Sequence, residues 1–264
     1  MKHVQCLRQS LIDGQIALGT FLAELSAPGV VNILANCGLN FIMIDCEHGT
    51  YTIEQTRRLI ETAQAVKIPA LVRLPIDDRA NVTRVLDAGA SGILFPQVRT
   101  MNDVHEAVAM TKYPPLGQRG VHLYRPQTGF VVPADWSDYF EKANANLITA
   151  IQIETAGAAS LADQIAATQG VDMLYIGPGD LRVNLGSPNQ PDDPKVQQVI
   201  ANVARSCRAH GKMAGCHFGS VDVLGQLIEQ GYSVFGYSAA TRLLANGTTA
   251  LLDQVREATS ASKQ

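Results

Sequence analysis

Four short stretches of this chain hold residue types suited to acid–base or metal chemistry. They are Ile-Asp45-Cys46-Glu47-His48, Val-Arg73-Leu-Pro, Gln152-Ile-Glu154 and Gly177-Pro-Gly179-Asp180, and a fifth, Pro96-Gln97, ends on an amide. In each, a charged or amide group stands where an apolar run stops. Glu154 and Asp180 offer two hard oxygen donors. Two carboxylates with the remaining positions open suit Mg²⁺ or Mn²⁺ better than an all-protein cage would. The same residues also suit helix caps at a rim, Asp180 above all, because it precedes Leu181-Arg182-Val183. Asp45 and His48 are three apart, a spacing at which a carboxylate orients an imidazole that moves a proton near neutral pH. A purely structural histidine fits that spacing equally well. Arg73 is a permanent cation, available either to a developing oxyanion or to a structural ion pair with Asp45 or Glu47. The Gly-Pro-Gly-Asp turn lets backbone approach a ligand closely and presents N–H groups to an anion.

Eight apolar runs position these groups. Strands are expected at Ala17–Leu22, Phe41–Asp45, Ala70–Leu74, Gly92–Pro96, Ile148–Glu154, Met173–Gly177, Lys212–His217 and Ser233–Tyr237. Helical patterns fall between them at Ile53–Val66, Val82–Ala88, Asp103–Thr111, Ala159–Ala167, Lys195–Ala209 and Val221–Gln230. Eight alternations predict a single α/β domain over residues 1–264, a (β/α)8 TIM barrel with its active site at the C-terminal strand ends. A doubly wound sheet is the competitor, weakened because no Gly-x-Gly-x-x-Gly follows the first strand. In a barrel, polar groups at successive strand ends converge on one mouth. The rhythm breaks from Tyr113 to about Trp136, where repeated prolines and glycines predict an active-site loop. The tail Ala258–Gln264 is small and polar and is expected to fray.

Composition narrows the class further. At 46% hydrophobic and 17% charged, the chain reads as soluble and globular. A net charge of −3 without a basic stripe argues against nucleic acid and membrane surfaces as partners. No apolar stretch reaches the roughly 18 residues that a membrane span needs, and MKHVQCLRQSLIDGQ lacks the apolar core of a signal peptide. The five cysteines (Cys6, Cys37, Cys46, Cys207, Cys216) form no Cys-x-x-Cys pair, which suggests bystander thiols in a reducing cytoplasm. Cys207-x-x-His210 lacks the second half of a zinc site, and His105 is expected to be exposed on a helix.

Read in order, these motifs form a series. Leu-Gly-Thr-Phe, Ile-Asp-Cys-Glu-His-Gly, Val-Arg-Leu-Pro, Leu-Asp-Ala-Gly-Ala, Tyr-Pro-Pro-Leu-Gly-Gln-Arg-Gly, Gln-Ile-Glu-Thr and Ile-Gly-Pro-Gly-Asp-Leu resemble the HpcH/HpaI aldolases over roughly positions 17 to 245. These are class II pyruvate aldolases, among them 4-hydroxy-2-oxoheptanedioate, 2-dehydro-3-deoxyglucarate and 2-keto-3-deoxyrhamnonate aldolases. The resemblance implies a lyase acting on a 2-oxo acid, with Glu154 and Asp180 holding Mg²⁺ or Mn²⁺, and Co²⁺ or Zn²⁺ as alternatives. It implies that Arg73 holds the 2-oxo oxygen and that His48 transfers a proton with Asp45 as its carboxylate partner. Gln152 would stand near the substrate, and backbone N–H groups around Gly177, Gly179 and Asp180 would receive the pyruvate carboxylate. It further implies a homohexamer in which the C-terminal segment, Ala239–Ala258, packs on a neighbouring subunit. No Schiff base is expected: of the lysines considered, Lys212 comes closest, but it opens its strand and should face the opposite end.

The chain departs from this pattern in two places. Arg119-Gly120 leads into Val121-His122-Leu123-Tyr124-Arg125 where the family has Val-Gly and a small, Ala-containing segment, and the seventh strand ends Gly215-Cys216-His217 in place of two aliphatic residues. Both lie where the family recognises the electrophile, so His122, Arg125 and His217 are expected to bind substrate and make that half more cationic. A differently packed lid is the competing account. Two other functions remain open at this level. One is a citrate-synthase-like condensation of oxaloacetate with acetyl-CoA, as in siderophore assembly. The other is a catalytically silent binding barrel, for which loss of a ligand or base is expected, and none of Asp45, His48, Arg73, Glu154 and Asp180 is lost.

Overall fold

Aliphatic runs of four to six residues form the strands: β1 (Ala17–Leu22), β2 (Phe41–Asp45), β3 (Ala70–Arg73), β4 (Gly92–Phe95), β5 (Ile148–Ile153), β6 (Met173–Ile176), β7 (Met213–Phe218) and β8 (Val234–Ala239). In the computed structural model, which describes Arg8 and residues 15–261, they pair in parallel in chain order, and β8 closes on β1. This is the (β/α)8 barrel predicted from the alternation of apolar runs.

Strand side chains alternate between two faces. One set, including Phe21, Phe41, Met43, Leu71, Leu94, Ala150, Met173 and Tyr175, packs together as the barrel interior. The other, including Ile42, Ile44, Val72, Ile93, Ile151 and Leu174, packs beneath the helices. Burying each such aliphatic side chain contributes about 1.5–3 kcal/mol. Tyr175 is accommodated because its neighbours are glycines: a Cβ at Gly215 or Gly236 would stand 2.4 or 2.2 Å from its ring or hydroxyl. One step further along the same parity brings Asp45, Arg73, Gln152, Glu154, Gly177 and His217 to the open end.

The helices are α1 (Gly29–Asn36), α2 (Ile53–Val66), α3 (Arg79–Asp87), α4 (Met101–Thr111), α5 (Trp136–Asn146), α6 (Ala156–Ser160), α7 (Ala162–Ala167), α8 (Pro178–Asn184), α9 (Pro194–Ala209), α10 (Leu224–Gln230) and α11 (Ala240–Ala261). Thr52 with Gln55 and Thr100 with Asp103 form capping boxes that fix the starts of α2 and α4. The single helix expected at Ala159–Ala167 is two short ones meeting at Leu161, and the one expected from Val221 begins as a 3₁₀ turn, Val221–Val223. No helix among the described residues is long and apolar enough to cross a membrane.

The long connection between α4 and α5 carries one 3₁₀ turn, Pro126–Thr128, and lies against α3. Arg119 holds it there: its guanidinium is 3.3 Å from Asp87 and 4.6 Å from the centre of the Tyr113 ring. Gln127 adds a bond of 2.8 Å to the His122 carbonyl. At the closed end of the barrel, buried Asp172 pairs with Lys112 and Arg8, each at 2.7 Å, and Lys212 donates to the Val171 carbonyl. Lys112 and Lys212 therefore lie at the end of the barrel opposite the mouth. Cys37, Cys46, Cys207 and Cys216 are free thiols, whereas Cys6 and the last three residues of the polar tail lie outside the described residues.

Candidate active site

The strand ends surround a cavity of about 430 Å³ whose wall includes Asp45, His48, Arg73, Gln152, Gly177–Asp180, His217 and Arg242. Asp45 and Arg73 are register partners on adjacent strands. The guanidinium meets the carboxylate side-on along one edge, Nε to Oδ1 at 2.8 Å and Nη2 to Oδ2 at 2.5 Å. Its Nη1 stands 3.3 Å from Glu47 Oε2, and the group lies over the Phe21 ring at 5.1 Å. Asp45 Oδ1 also accepts from the backbone N–H groups of Glu47 and His48, which shapes the loop after β2. Burial works against the charge on Asp45, but the bonds and charge of Arg73, with the two N–H groups, hold its carboxyl below the usual range.

Glu154 is 1% exposed. Its Oε1 accepts from the Gln97 backbone N–H at 2.8 Å and side-chain amide at 3.1 Å, and its Oε2 accepts from Gln152 Nε2 at 2.6 Å. Burial first, then the negative charges of Glu47 and Asp180, push its pKa up to about 7 against the opposing Gln97 N–H and Arg73. Burial likewise raises Glu47. Gln97 sits at φ 54°, a left-handed conformation unusual for a residue with a side chain, and this aims its N–H at Glu154. Gly177 completes the arrangement by having no side chain: a Cβ there would lie 2.5 Å from both Gln152 Nε2 and Glu154 Oε2.

The two histidines of the mouth differ. The His48 ring is largely exposed, with Nε2 3.8 Å from Glu47 Oε2. His217 stands edge-on to Phe21 at 5.0 Å, and its buried Nδ1 has no hydrogen-bond partner among the described residues. Burial, then the charge of Arg73, lowers its pKa to about 4, so its imidazole is neutral at pH 7.

Residues 18–246 match the sequence model of the HpcH/HpaI aldolase/citrate lyase family. The chain belongs to that family. It is 35% identical to 5-keto-4-deoxy-D-glucarate aldolase of Salmonella paratyphi C, over 79% of this chain and 80% of the relative. The crystal structure of an HpcH/HpaI aldolase from Desulfitobacterium hafniense superposes with a TM-score of 0.88 at 33% identity, covering 95% and 96% of the two chains. The citrate synthase SbnG superposes with a TM-score of 0.85 at 26% identity, covering 96% and 98%. The chain is thus an aldolase/lyase-type enzyme.

For this HpcH/HpaI family member, the sequence-derived set of Asp45, His48, Arg73, Gln152, Glu154, Gly179, Asp180 and His217 gathers at one mouth. Several details differ from expectation. The partner of Asp45 is the Arg73 side chain and not the His48 imidazole, because in-register strands face the guanidinium while the loop carries the imidazole outward. The Gly177 N–H is spent on the Ile153 carbonyl at 3.3 Å, which leaves the first-turn amides of Gly179 and Asp180 for an anion. Asp180 lies inside α8 and is not its cap; Gly177 precedes the helix. His122 and Arg125 are not at the mouth. The loop bearing them is anchored to α3, and Arg125 lines a separate cleft with Arg57, Arg84 and Asp87.

Glu47 and Gln97 adjoin the mouth through Arg73 and Glu154, and Arg242 borders it; the sequence reading placed the first two at strand ends without assigning them a catalytic role. Arg242 lies in a helix, where nothing in the sequence distinguishes it from a surface arginine. Cys207 and His210 form no metal pair: the thiol bonds the Met213 carbonyl and the imidazole bonds Asp163.

Proposed function

We propose that this barrel cleaves or forms 4-hydroxy-2-oxo acids through a pyruvate-type enolate, as a metal-dependent, class II aldolase. The observation that carries this reading is the meeting of the carboxylates Glu154 and Asp180 with the Arg73 guanidinium at one barrel mouth. Glu154 and Asp180 would hold a divalent cation, Mg²⁺ or Mn²⁺ with Co²⁺ or Zn²⁺ as alternatives. The donors fit such an ion: both are hard oxygens, and the crowding of Glu47, Glu154 and Asp180 leaves the site short of positive charge. Among the described residues no group of three or more His, Cys, Asp or Glu is placed to hold a metal ion, so Glu154 and Asp180 are the two donors this chain would supply. When bound, the cation supplies Lewis-acid stabilisation of the enolate.

The chain's own residues supply the remainder. Arg73, held rigid by Asp45, keeps a positive charge beside the 2-oxo oxygen as electron density accumulates there. His48 takes the proton of the C4 hydroxyl. The C4–O bond becomes a carbonyl, the C3–C4 electron pair becomes the enolate double bond, and an aldehyde departs. Protonation at C3 then gives pyruvate; the reverse sequence is an aldol addition. Gln152 has a buried Oε1 without a partner among the described residues, an acceptor ready for a substrate hydroxyl. The first-turn amides of Gly179 and Asp180 receive the pyruvate carboxylate.

Deuterium exchange into the pyruvate methyl group and decarboxylation of oxaloacetate, each with Mg²⁺, Mn²⁺ and Co²⁺, test the reading. Absence of both with every metal overturns it and favours a silent binding barrel. The likeness to citrate synthase SbnG supports a second reading, condensation of oxaloacetate with acetyl-CoA. Citrate formation from those two substrates, without cleavage of 4-hydroxy-2-oxo acids, would establish it in place of the first. The ligands are small molecules in both readings, with no role for nucleic acid or membrane. We further infer a cytoplasmic homo-oligomer, a hexamer by family resemblance, supported by the free thiols and by apolar side chains exposed along α11.

A further inference from the structure

The two oxygens of Glu154 are bonded unequally. Oε1 takes both donors of Gln97, the backbone N–H at 2.8 Å and the side-chain Nε2 at 3.1 Å. Oε2 takes Gln152 Nε2 alone, at 2.6 Å. Each oxygen of an ionised carboxylate offers about two lone-pair sites. Both sites on Oε1 are thus occupied, and one on Oε2 is left. Oε2 is also the oxygen beside Gly177, where a Cβ would stand 2.5 Å away, and Gly177 lines the cavity. The oxygen with capacity to spare is therefore the one next to the open space. Gln97 delivers its two donors from an unfavourable backbone: φ is 54°, a left-handed conformation disfavoured for a residue with a side chain. The turn from β4 towards α4 would accept glycine or asparagine at that φ with less strain. Neither carries an amide long enough to reach Glu154 from the same position. The reach of the amide, and not the needs of the turn, accounts for a glutamine here.

We propose that Gln97 is a positioning residue that ties off Oε1 of Glu154, so that Glu154 meets a divalent cation through Oε2 alone and the site favours compact cations over Ca²⁺. This rests on the metal-dependent reading above. Mg²⁺ demands a near-octahedral set of six ligands, whereas Ca²⁺ takes six to eight and often uses both oxygens of one carboxylate. A carboxylate with one oxygen committed elsewhere suits the first ion and handicaps the second. Hydrogen bonds to a metal-binding carboxylate also fix its orientation, and losing such a partner typically costs about 10–100-fold in affinity.

Gln97→Asn and Gln97→Gly test this on the whole chain. Both residues accept a left-handed φ and keep the backbone N–H, and both lack the reaching amide. Mn²⁺ binding with pyruvate present is followed by the EPR signal of the free ion, with Ca²⁺ added as a competitor, so the readout does not depend on turnover. In both variants the Kd for Mn²⁺ should rise about tenfold, and the Kd of Ca²⁺ relative to that of Mn²⁺ should fall about fivefold. The Tm of Gln97→Asn in EDTA should be no lower than that of wild type, because the backbone strain is eased. A purely structural role would move Tm and leave both Kd values in place. An Mn²⁺ Kd within about twofold of wild type in both variants overturns the proposal. So does weaker Mn²⁺ binding at an unchanged ratio, since Oε1 would then not be what Ca²⁺ is denied. The wild type keeps the two readings separate. If it binds no Mn²⁺, the metal-dependent reading falls; if it binds Mn²⁺ and both variants bind it alike, the role of Gln97 alone falls.

Discussion

At the scale of single residues the mouth is governed by a buried ion pair and a crowded carboxylate. Asp45 and Arg73 are 3% and 8% exposed and meet bidentately, so removing one partner strands the other. Asp45→Asn should therefore destabilise the fold by about 3 kcal/mol, read from urea denaturation, as well as misaligning Arg73. Unchanged stability would mean that Glu47 alone suffices to hold the guanidinium. Glu154→Ala should abolish metal-dependent turnover, and retained activity would remove Glu154 from the ligand set. His217 gives a pH signature. Its pKa is lowered from an unfolded value near 6.5 to about 4, so between these values the unfolded chain binds the extra proton. The stability that comes with neutral His217 is complete above pH 6.5 and is lost as pH falls towards 4. His217→Gln should thus gain in Tm relative to wild type as the pH drops from 7 to 5. Glu154, with its raised pKa, works in the opposite direction, so the variant-minus-wild-type difference is the quantity to measure.

At the scale of elements, each strand is set by a short apolar run and each well-predicted helix by a local start signal. Thr52 is such a signal: its side chain accepts from the Gln55 N–H while Gln55 returns a bond to the Thr52 N–H. Thr52→Ala should cost about 1 kcal/mol in thermal unfolding without altering pyruvate exchange, because α2 lies behind the barrel wall. The same physics explains what the sequence revealed. Asp45, Arg73, Gln152 and Glu154 come to one end because each stands where a short apolar run stops, and that is readable from the sequence. Helix α1 was not legible, since Pro28 precedes it and no side chain caps it. Helix α8 was hidden by the Gly-Pro-Gly turn, whose proline occupies the first helical position and reads as a breaker. The direction of the loop bearing His122 and Arg125 depends on Arg119 finding Asp87, a contact between residues 32 apart in sequence. The irregularity in β8 ahead of Arg242 is equally non-local, being defined only by the pairing of β8 with β1.

At the scale of the whole molecule, the barrel core is complete but its last helix is not covered. Along α11, Leu244, Leu251, Leu252 and Val255 are 64%, 59%, 48% and 49% exposed. Their spacing of three, four and seven residues lays them along the helix as an apolar stripe. A stripe of this kind on a monomer is costly in water and marks an association surface. A second copy of the chain is the simplest cover, since symmetric homo-oligomers are the commonest soluble assemblies. Multi-angle light scattering at micromolar concentration should accordingly report an assembly of several chains. Leu244→Glu with Leu251→Glu should shift the mass towards the monomer, because burying two carboxylates in an apolar contact is strongly disfavoured. A wild-type protein that runs as a monomer would show that the exposed stripe serves some purpose other than self-association.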